Sequence, residues 1–167
     1  GTGGPLTQIA NGQDFNLFAG YMIIGETPLY GKPETEYTDL DSLRGKRIGI
    51  TRGGTPDIVL KGILYDAGYS FTYGGTTIIG DENDPDMIEF IEYKKNTDVL
   101  QAVMKGEVDF GATATGYQIQ ARELGLEVKM WPDELWPNHS CCRMLCTNTY
   151  LNENEEALYR LLRSYLR

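Results

Sequence analysis

Residues 46–67, KRIGITRGGTPDIVLKGILYDA, constrain the fold most. KRIGIT is a short run rich in isoleucine and reads as a buried strand. RGGT reads as a tight turn. PDIVLKGILYDA carries the helical period, with Leu60, Ile63, Leu64 and Ala67 spaced i, i+3, i+4, i+7. Thr55 is expected as its N-cap, Pro56 at the first helical position and Asp57 in the first turn. Gly68 is the expected stop. A strand that enters a helix through a glycine turn is a building unit of α/β sheets.

The rest of the chain continues in the same grammar. PLTQIAN predicts a short helix closed by Gly12, and DFNLFAGYMIIG an extended segment. ETPLYGKPETEYTD, with two prolines and a glycine, reads as a linker or crossover. MIEFIEY alternates as a strand. NTDVLQAVMKG predicts a helix from Asn96 or Thr97, with Val99, Leu100, Val103 and Met104 inward and Gly106 as its end. EVDFGATA predicts a strand running into a tight turn, TGYQIQARELG a helix and LEVKMW a strand. The last helix presents Leu158, Leu161, Leu162, Tyr165 and Leu166 on one side. From residue 47 the order is β-α-β-β-α-β-α-β-β-α, a sheet covered by helices.

Composition removes several function classes. The 167 residues suffice for one sizeable core, and 41% hydrophobic with 23% charged residues is ordinary for a globular chain. No window approaches the roughly 20 apolar residues of a membrane span. A net charge of −9 argues against nucleic acid and anionic membrane surfaces, which demand stripes of Lys and Arg. The chain opens at Gly1 without an initiator Met, and reads as a processed or trimmed piece.

Ligands of open α/β sheets bind at the carboxyl ends of strands, often at helix N-termini. Arg52, Gly53, Gly54 and Thr55 form one such place: glycines admit a ligand to the backbone, the first-turn N–H groups favour an anion, and Arg52 adds a counter-charge. The alternative is a well-made turn with a solvated arginine. No Gly-Lys-Ser/Thr follows, so this is not a Walker loop. Thr115, Gly116 and Tyr117 form a second place, against the alternative of a helix cap and a core tyrosine. GTGGPLTQ repeats the pattern more weakly at the N-terminus.

PNHSCCRMLC, residues 137–146, holds the single histidine and all three cysteines. Strand alternation puts Ser140, Cys142, Met144 and Cys146 on one face and His139, Cys141, Arg143 and Leu145 on the other. Cys142 and Cys146 then lie about 13 Å apart at roughly 3.3 Å per residue, too far to share a tetrahedral zinc. No CxxC and no second Cys/His cluster is present, so no metal is expected and the stretch reads as a core strand. His139, at its entrance, is the stronger functional candidate. No G-x-S-x-G elbow supports a catalytic triad.

These phrases, in this order, resemble type II periplasmic solute-binding proteins of ABC importers. The similar branch is the nitrate, sulfonate, taurine and thiamine-pyrimidine-precursor one. DLDSLRGKRIGITRGGTPDIVLKGILYDAGY resembles the opening of that family's second lobe. NTDVLQAVMKGEVDFGATATGYQIQARELG and SCCRMLCTNTYLNENEEALYRLLRSYLR resemble its later segments, and TGGPLTQIANGQDFNLFAG the end of its first lobe. The resemblance implies a three-layer α/β/α lobe with a mixed, mostly parallel sheet. It implies that residues 1–38 are a remnant of the first lobe plus crossover, and residues 39–167 the second lobe.

The function implied is an extracytoplasmic, often lipid-anchored receptor that passes a small anionic or heteroaromatic solute to an importer permease, with no cofactor. Arg52 to Thr55, Thr115 to Tyr117 and the loop from Trp136 to His139 would face the cleft, with Thr2 to Gly4 from the first lobe. A complete member has about twice this length, so an uncovered lobe surface favours self-association. Two alternatives stay open. A eukaryotic relative synthesises the thiamine pyrimidine and carries a cysteine-rich motif broadly like SCCRMLC, though denser in adjacent cysteines. The effector domain of a transcription regulator shares the fold but needs a basic helix-turn-helix, for which this chain has no segment.

Overall fold

A computed structural model describes residues 3–22, 27–139 and 141–167, with the backbone alone at positions 21 and 22. The helix α1 (Gly3–Ala10) leads to β1 (Asn16–Met22) and β2 (Leu29–Gly31), and a 3-10 turn (Leu40–Leu43) leads to β3 (Arg47–Thr51) and α2 (Thr55–Asp66). A hairpin of β4 (Phe71–Tyr73) and β5 (Thr77–Ile79) precedes β6 (Glu89–Tyr93), α3 (Asn96–Lys105) and β7 (Phe110–Ala112). Then come α4 (Gln118–Glu123), β8 (Glu127–Met130), α5 (Pro132–Leu135), β9 (Cys142–Cys146), α6 (Asn148–Glu153) and α7 (Glu155–Tyr165).

The main sheet has five strands in the order β6-β3-β7-β2-β8. β3 is parallel to β6 and β7, while β2 is antiparallel to both β7 and β8. Four strands therefore run one way and β2 the other, the expected mixed, mostly parallel sheet. Strand alternation divides the core in two. Ile48, Ile50, Phe90, Phe110 and Ala112 pack with Leu60 and Leu64 of α2 on one face. Tyr30 packs with Leu100 and Val103 of α3 and Ala121 of α4 on the other. Two glycines let α3 approach closely: a Cβ on Gly49 would lie 3.3 Å from Val99 Cγ1, and one on Gly111 only 2.7 Å from it.

Several sequence expectations change. LYG, read as linker or crossover, is the strand β2, and all three residues are buried. Prolines and charges flank it on both sides, and three residues are too few to display a period. Gly54 rather than Thr55 caps α2, whose end at Gly68 (φ +80°) is a Schellman turn: Tyr69 N–H donates to Leu64 O and Gly68 N–H to Tyr65 O. Ala67 and Met104, expected inward, are exposed: Ala67 is the C-cap of α2, and Met104 lies in the last turn of α3. α4 starts at Gln118, three residues later than read. PDELWPNH contains the short helix α5, and the C-terminal helix breaks at Asn154. Of its apolar side, Leu158 is buried, while Leu161, Tyr165 and Leu166 are exposed.

The cysteine strand also sits elsewhere. β9 leaves the main sheet and pairs antiparallel with β1 in a two-stranded ribbon, with register shifts between Leu17 and Ala19 and between Gly20 and Met22. Its residues are half-buried or exposed, so it is not a core strand. Among the described residues no helix is long and apolar enough to cross a membrane.

Two measurements test this packing. Gly111→Ala puts its Cβ 2.7 Å from Val99 Cγ1 and 2.8 Å from Val103 Cγ2. Overpacking of this kind costs about 1–3 kcal/mol, which at roughly 2–4 °C per kcal/mol should lower Tm by about 2–12 °C in a thermal melt. Tyr37 packs edge-on against Phe110 at 6.2 Å, and burial, aided by Asp39 and Glu134, pushes its phenol up from 10.0 to about 12. The unfolded chain ionises first, so this stability is present below about pH 10 and is lost as pH rises to about 12. Tyr37→Phe should flatten that alkaline loss in urea midpoints measured across the interval.

Candidate functional site

Because β3, β6, β7 and β8 run parallel, their following loops emerge at one end of the sheet. The loop after β3 is held from beneath. Gly53 has φ +70°, a conformation natural to glycine, and its N–H donates to Asp57 Oδ2 at 2.8 Å. Asp57 is 1% exposed, and its Oδ1 lies 2.6 Å from Lys61 Nζ, one helical turn on. That ammonium is itself buried, 4.3 Å from the Tyr73 ring centroid and 4.7 Å from that of Phe90. Arg52 lies 5.6 Å over the same Tyr73 ring, and its Nε is 3.5 Å from Glu92 Oε1. Two cations, each beside its own carboxylate, thus share one aromatic ring.

Above this cluster opens a cleft of about 640 Å³, lined by Arg52, Gly53, Asp57, Lys61 and Tyr73, and by Gly3 of α1. A Cβ on Gly3 would collide with Ile58 Cδ1 and reach 3.2 Å from Gly53 O, so glycine is what lets α1 sit on this loop. A smaller cavity of about 210 Å³ adjoins it across Gly3 and Ile58, bounded by Leu6, Thr55, Trp136 and His139. His139 is 2% exposed, with Nδ1 3.2 Å from Trp136 O. The turn that brings it in uses Asn138 at φ +61°, the only non-glycine residue with positive φ among those described. Trp136 is half-exposed and lies over α2, where a Cβ on Gly62 would be 2.6 Å from Cζ3.

The loop after β7 is tied to the loop after β3 by one side chain. Asn96 Oδ1 accepts from Ala114 N–H at 3.1 Å and from Thr51 Oγ1 at 3.4 Å. Beyond that tie the predicted residues diverge. Thr115 and Gly116 are exposed, and Gly116 (φ +96°) donates its N–H to Gln118 Oε1 at 2.6 Å. Gly116 lines a separate cleft of about 680 Å³ with Tyr30, Arg122 and Trp131. Tyr117 packs against the core on the α3 and α4 side.

The sequence-predicted residues therefore fall into groups. Arg52, Gly53 and Gly3 line the cleft of about 640 Å³; Thr55, Trp136, His139 and again Gly3 line the cavity of about 210 Å³; Gly54 caps the helix between them. Thr115, Gly116 and Tyr117 line neither cavity. Thr2 lies outside the described residues, as does Ser140 of the alternation argument. Sequence reading missed Asp57 as a loop clamp, Asn96 as a tie between loops, and Lys61, Tyr73 and Glu92 altogether. One signal was present: Asp57 and Lys61 stand at i, i+4 on the face that carries Leu60 and Leu64, where a charge needs a partner.

Cys141, placed opposite Cys142 by alternation, precedes the strand instead. Its sulfur lies 3.3 Å from Cys142 Sγ and 3.5 Å from Thr55 Oγ1. Burial pushes its thiol above the ordinary range; the Thr55 contact opposes this and Cys142 adds to it. Among the described residues no three or more of His, Cys, Asp and Glu are grouped to hold a metal.

A family model described as "NMT1/THI5 like" matches residues 6–167. No curated protein sequence matches the chain significantly. Solved structures share the fold. The periplasmic aliphatic sulphonate binding protein SsuA from Escherichia coli superposes with a TM-score of 0.76 at 18% identity, over 99% of this chain and 52% of its own. The alkanesulfonate-binding protein SsuA from Xanthomonas axonopodis pv. citri, bound to MOPS, gives 0.74 at 16%, over 99% and 52%. The ligand binding component of an ABC-type import system from Staphylococcus aureus, with zinc bound, gives 0.70 at 12%, over 98% and 52%. The chain spans about half the length of these structures.

The clamp has a measurable consequence. Lys61→Met keeps the aliphatic stem but leaves the Asp57 carboxylate buried without its counter-charge, at a cost of about 3–5 kcal/mol. Adding Asp57→Asn removes that charge while keeping an acceptor for the Gly53 N–H. Urea unfolding should show the double variant more stable than Lys61→Met alone.

Proposed function

The chain belongs to the NMT1/THI5-like family, and on that premise we propose that it is a lobe of a solute-binding protein serving an ABC-type importer. It acts outside the cytoplasm, where it captures a small anionic or heteroaromatic solute and presents it to a permease. The observation that carries this reading is the loop of Arg52 and Gly53, clamped by a buried ion pair under a cleft large enough for a small molecule. Shape and donors are set before a ligand arrives, which reduces the ordering cost of binding. Arg52 supplies a charged fork, the first turn of α2 a dipole and the Tyr73 ring a stacking face. Thr55, Trp136 and His139 bound the adjoining cavity, which suits an apolar or aromatic portion of the same solute.

The contents of the site support binding over catalysis. Lys61 is held by Asp57 under the loop, and Arg52 makes a looser contact with Glu92 that a ligand can share, so the two cations serve as a fixed support and an anchor.

A thermal-shift screen over nitrate, alkanesulfonates, pyrimidines, riboflavin-like and other aromatic compounds tests the proposal. A true ligand at 100 times Kd adds about 2.7 kcal/mol, or roughly 5–11 °C at this chain length. The shift should shrink when Arg52→Ala removes the guanidinium. Silence across the screen, or a shift that Arg52→Ala leaves intact, overturns this assignment of the site.

A further inference from the structure

The cysteine pair is a feature that solute binding does not use. Its two sulfurs stand 3.3 Å apart although Cys141 is buried and Cys142 half-buried, and no disulfide joins them. Cys141 lies against Thr55 in the first turn of α2, and Cys142 opens β9. The pair therefore sits where the His139 loop passes into the β1–β9 ribbon. Cys146 lies at the far end of β9, opposite Asn16 of β1.

We propose that Cys141 and Cys142 form a reversible vicinal disulfide, a redox switch behind the Thr55 wall of the His139 cavity. The oxidant is a small-molecule or protein disulfide. Cys142, the more accessible thiol, loses its proton and attacks one sulfur of that disulfide, expelling the other as a thiolate. The Cys141 thiolate then attacks the Cys142 sulfur of the mixed disulfide and expels the second thiolate. One disulfide is reduced to two thiols, and the two protein thiols become one disulfide, so electrons and protons balance. The raised thiol of Cys141 fits the second role, since it needs deprotonation only once its target is adjacent.

Geometry also sets the poise. Adjacent Cα atoms are about 3.80 Å apart across a trans peptide, below the roughly 4.4–6.8 Å usual for disulfides. A bond of about 2.05 Å between these sulfurs is strained, and strained disulfides are the easily reduced, regulatory kind. Closing it draws Cys141 Sγ from 3.3 Å into bonding distance, shifts its contact with Thr55, and turns the backbone two residues beyond His139.

The test is a series of glutathione buffers from fully reduced to fully oxidised, quenched by alkylation and read by peptide mass mapping. The expected product has lost two hydrogens, resists alkylation at residues 141 and 142 only, still alkylates at Cys146, and reverts with dithiothreitol. His139 is the sole histidine, so its imidazole NMR signals report the cavity without ambiguity. They should shift on oxidation in the wild type and in Cys146→Ser, and stay fixed in Cys142→Ser. The wild-type mapping stands even if a variant folds poorly. Thiols that stay reduced throughout, glutathione retained as a mixed disulfide, or a bond involving Cys146 overturns the proposal. A vicinal bond that forms while the His139 signals stay still overturns the switch.

Discussion

A carboxylate and an ammonium buried together must answer each other, and the pair of Asp57 and Lys61 does so within 2.6 Å. Taking both charges out of water carries a heavy desolvation cost, so the pair is weak evidence for net stability. Its effect is on shape. With one oxygen facing Lys61, Asp57 has its other free for the Gly53 N–H, and the loop after β3 takes one conformation. Lys61 in turn lies against the rings of Tyr73 and Phe90. The hairpin that carries Tyr73, the strand that carries Glu92 and the first turn of α2 meet through this contact. Losing it would loosen the floor of the cleft on three sides.

Two further ties hold the loops at this end of the sheet. Asn96 joins the ends of β3 and β7 through a single carbonyl oxygen, so those loops cannot drift independently. The glycines at 49 and 111 bring α3 close enough to the sheet for Asn96 to reach both. Trp136 anchors the third loop over Gly62, on the same helix that the ion pair organises. α2 is therefore the common element. Its Asp57, Ile58 and Lys61 face the Arg52 cleft, and Thr55, Ile58 and Val59 face the His139 cavity.

What the sequence disclosed follows from where its periods are long. The unit β3-turn-α2 was legible because twelve helical residues show their stripe, and because Gly68 stops them in the expected way. α3 was legible for the same reason. β2 was hidden because three buried residues between prolines carry no pattern, and its pairing with β7 and β8 is decided entirely by tertiary contact. The cysteine stretch was rightly seen as a strand and wrongly assigned to the core, since alternation says which side chains share a face but not which sheet the strand joins. Half of the cleft was legible, because glycines and a proline mark a strand-to-helix turn. The other half was not: Lys61 and Tyr73 come from a helix interior and a hairpin, and only the fold brings them to Arg52.

The charges at the site also bear on how it would select a solute. The chain as a whole carries −9, yet the cleft pairs Arg52 with Glu92 and Lys61 with Asp57, so its local account is close to neutral. An anion entering here meets a guanidinium that is still largely exposed and only 3.5 Å from its carboxylate, a contact loose enough to be shared. Lys61 cannot be recruited in the same way, because it is buried and closely held. On the proposed solute-binding reading, selection would rest on the geometry of the Arg52 fork, the helix dipole and the Tyr73 face more than on net charge. A site of that kind discriminates by hydrogen-bond direction and ring stacking, which is how a planar anion or a heteroaromatic ring would be told from a simple ion of the same charge.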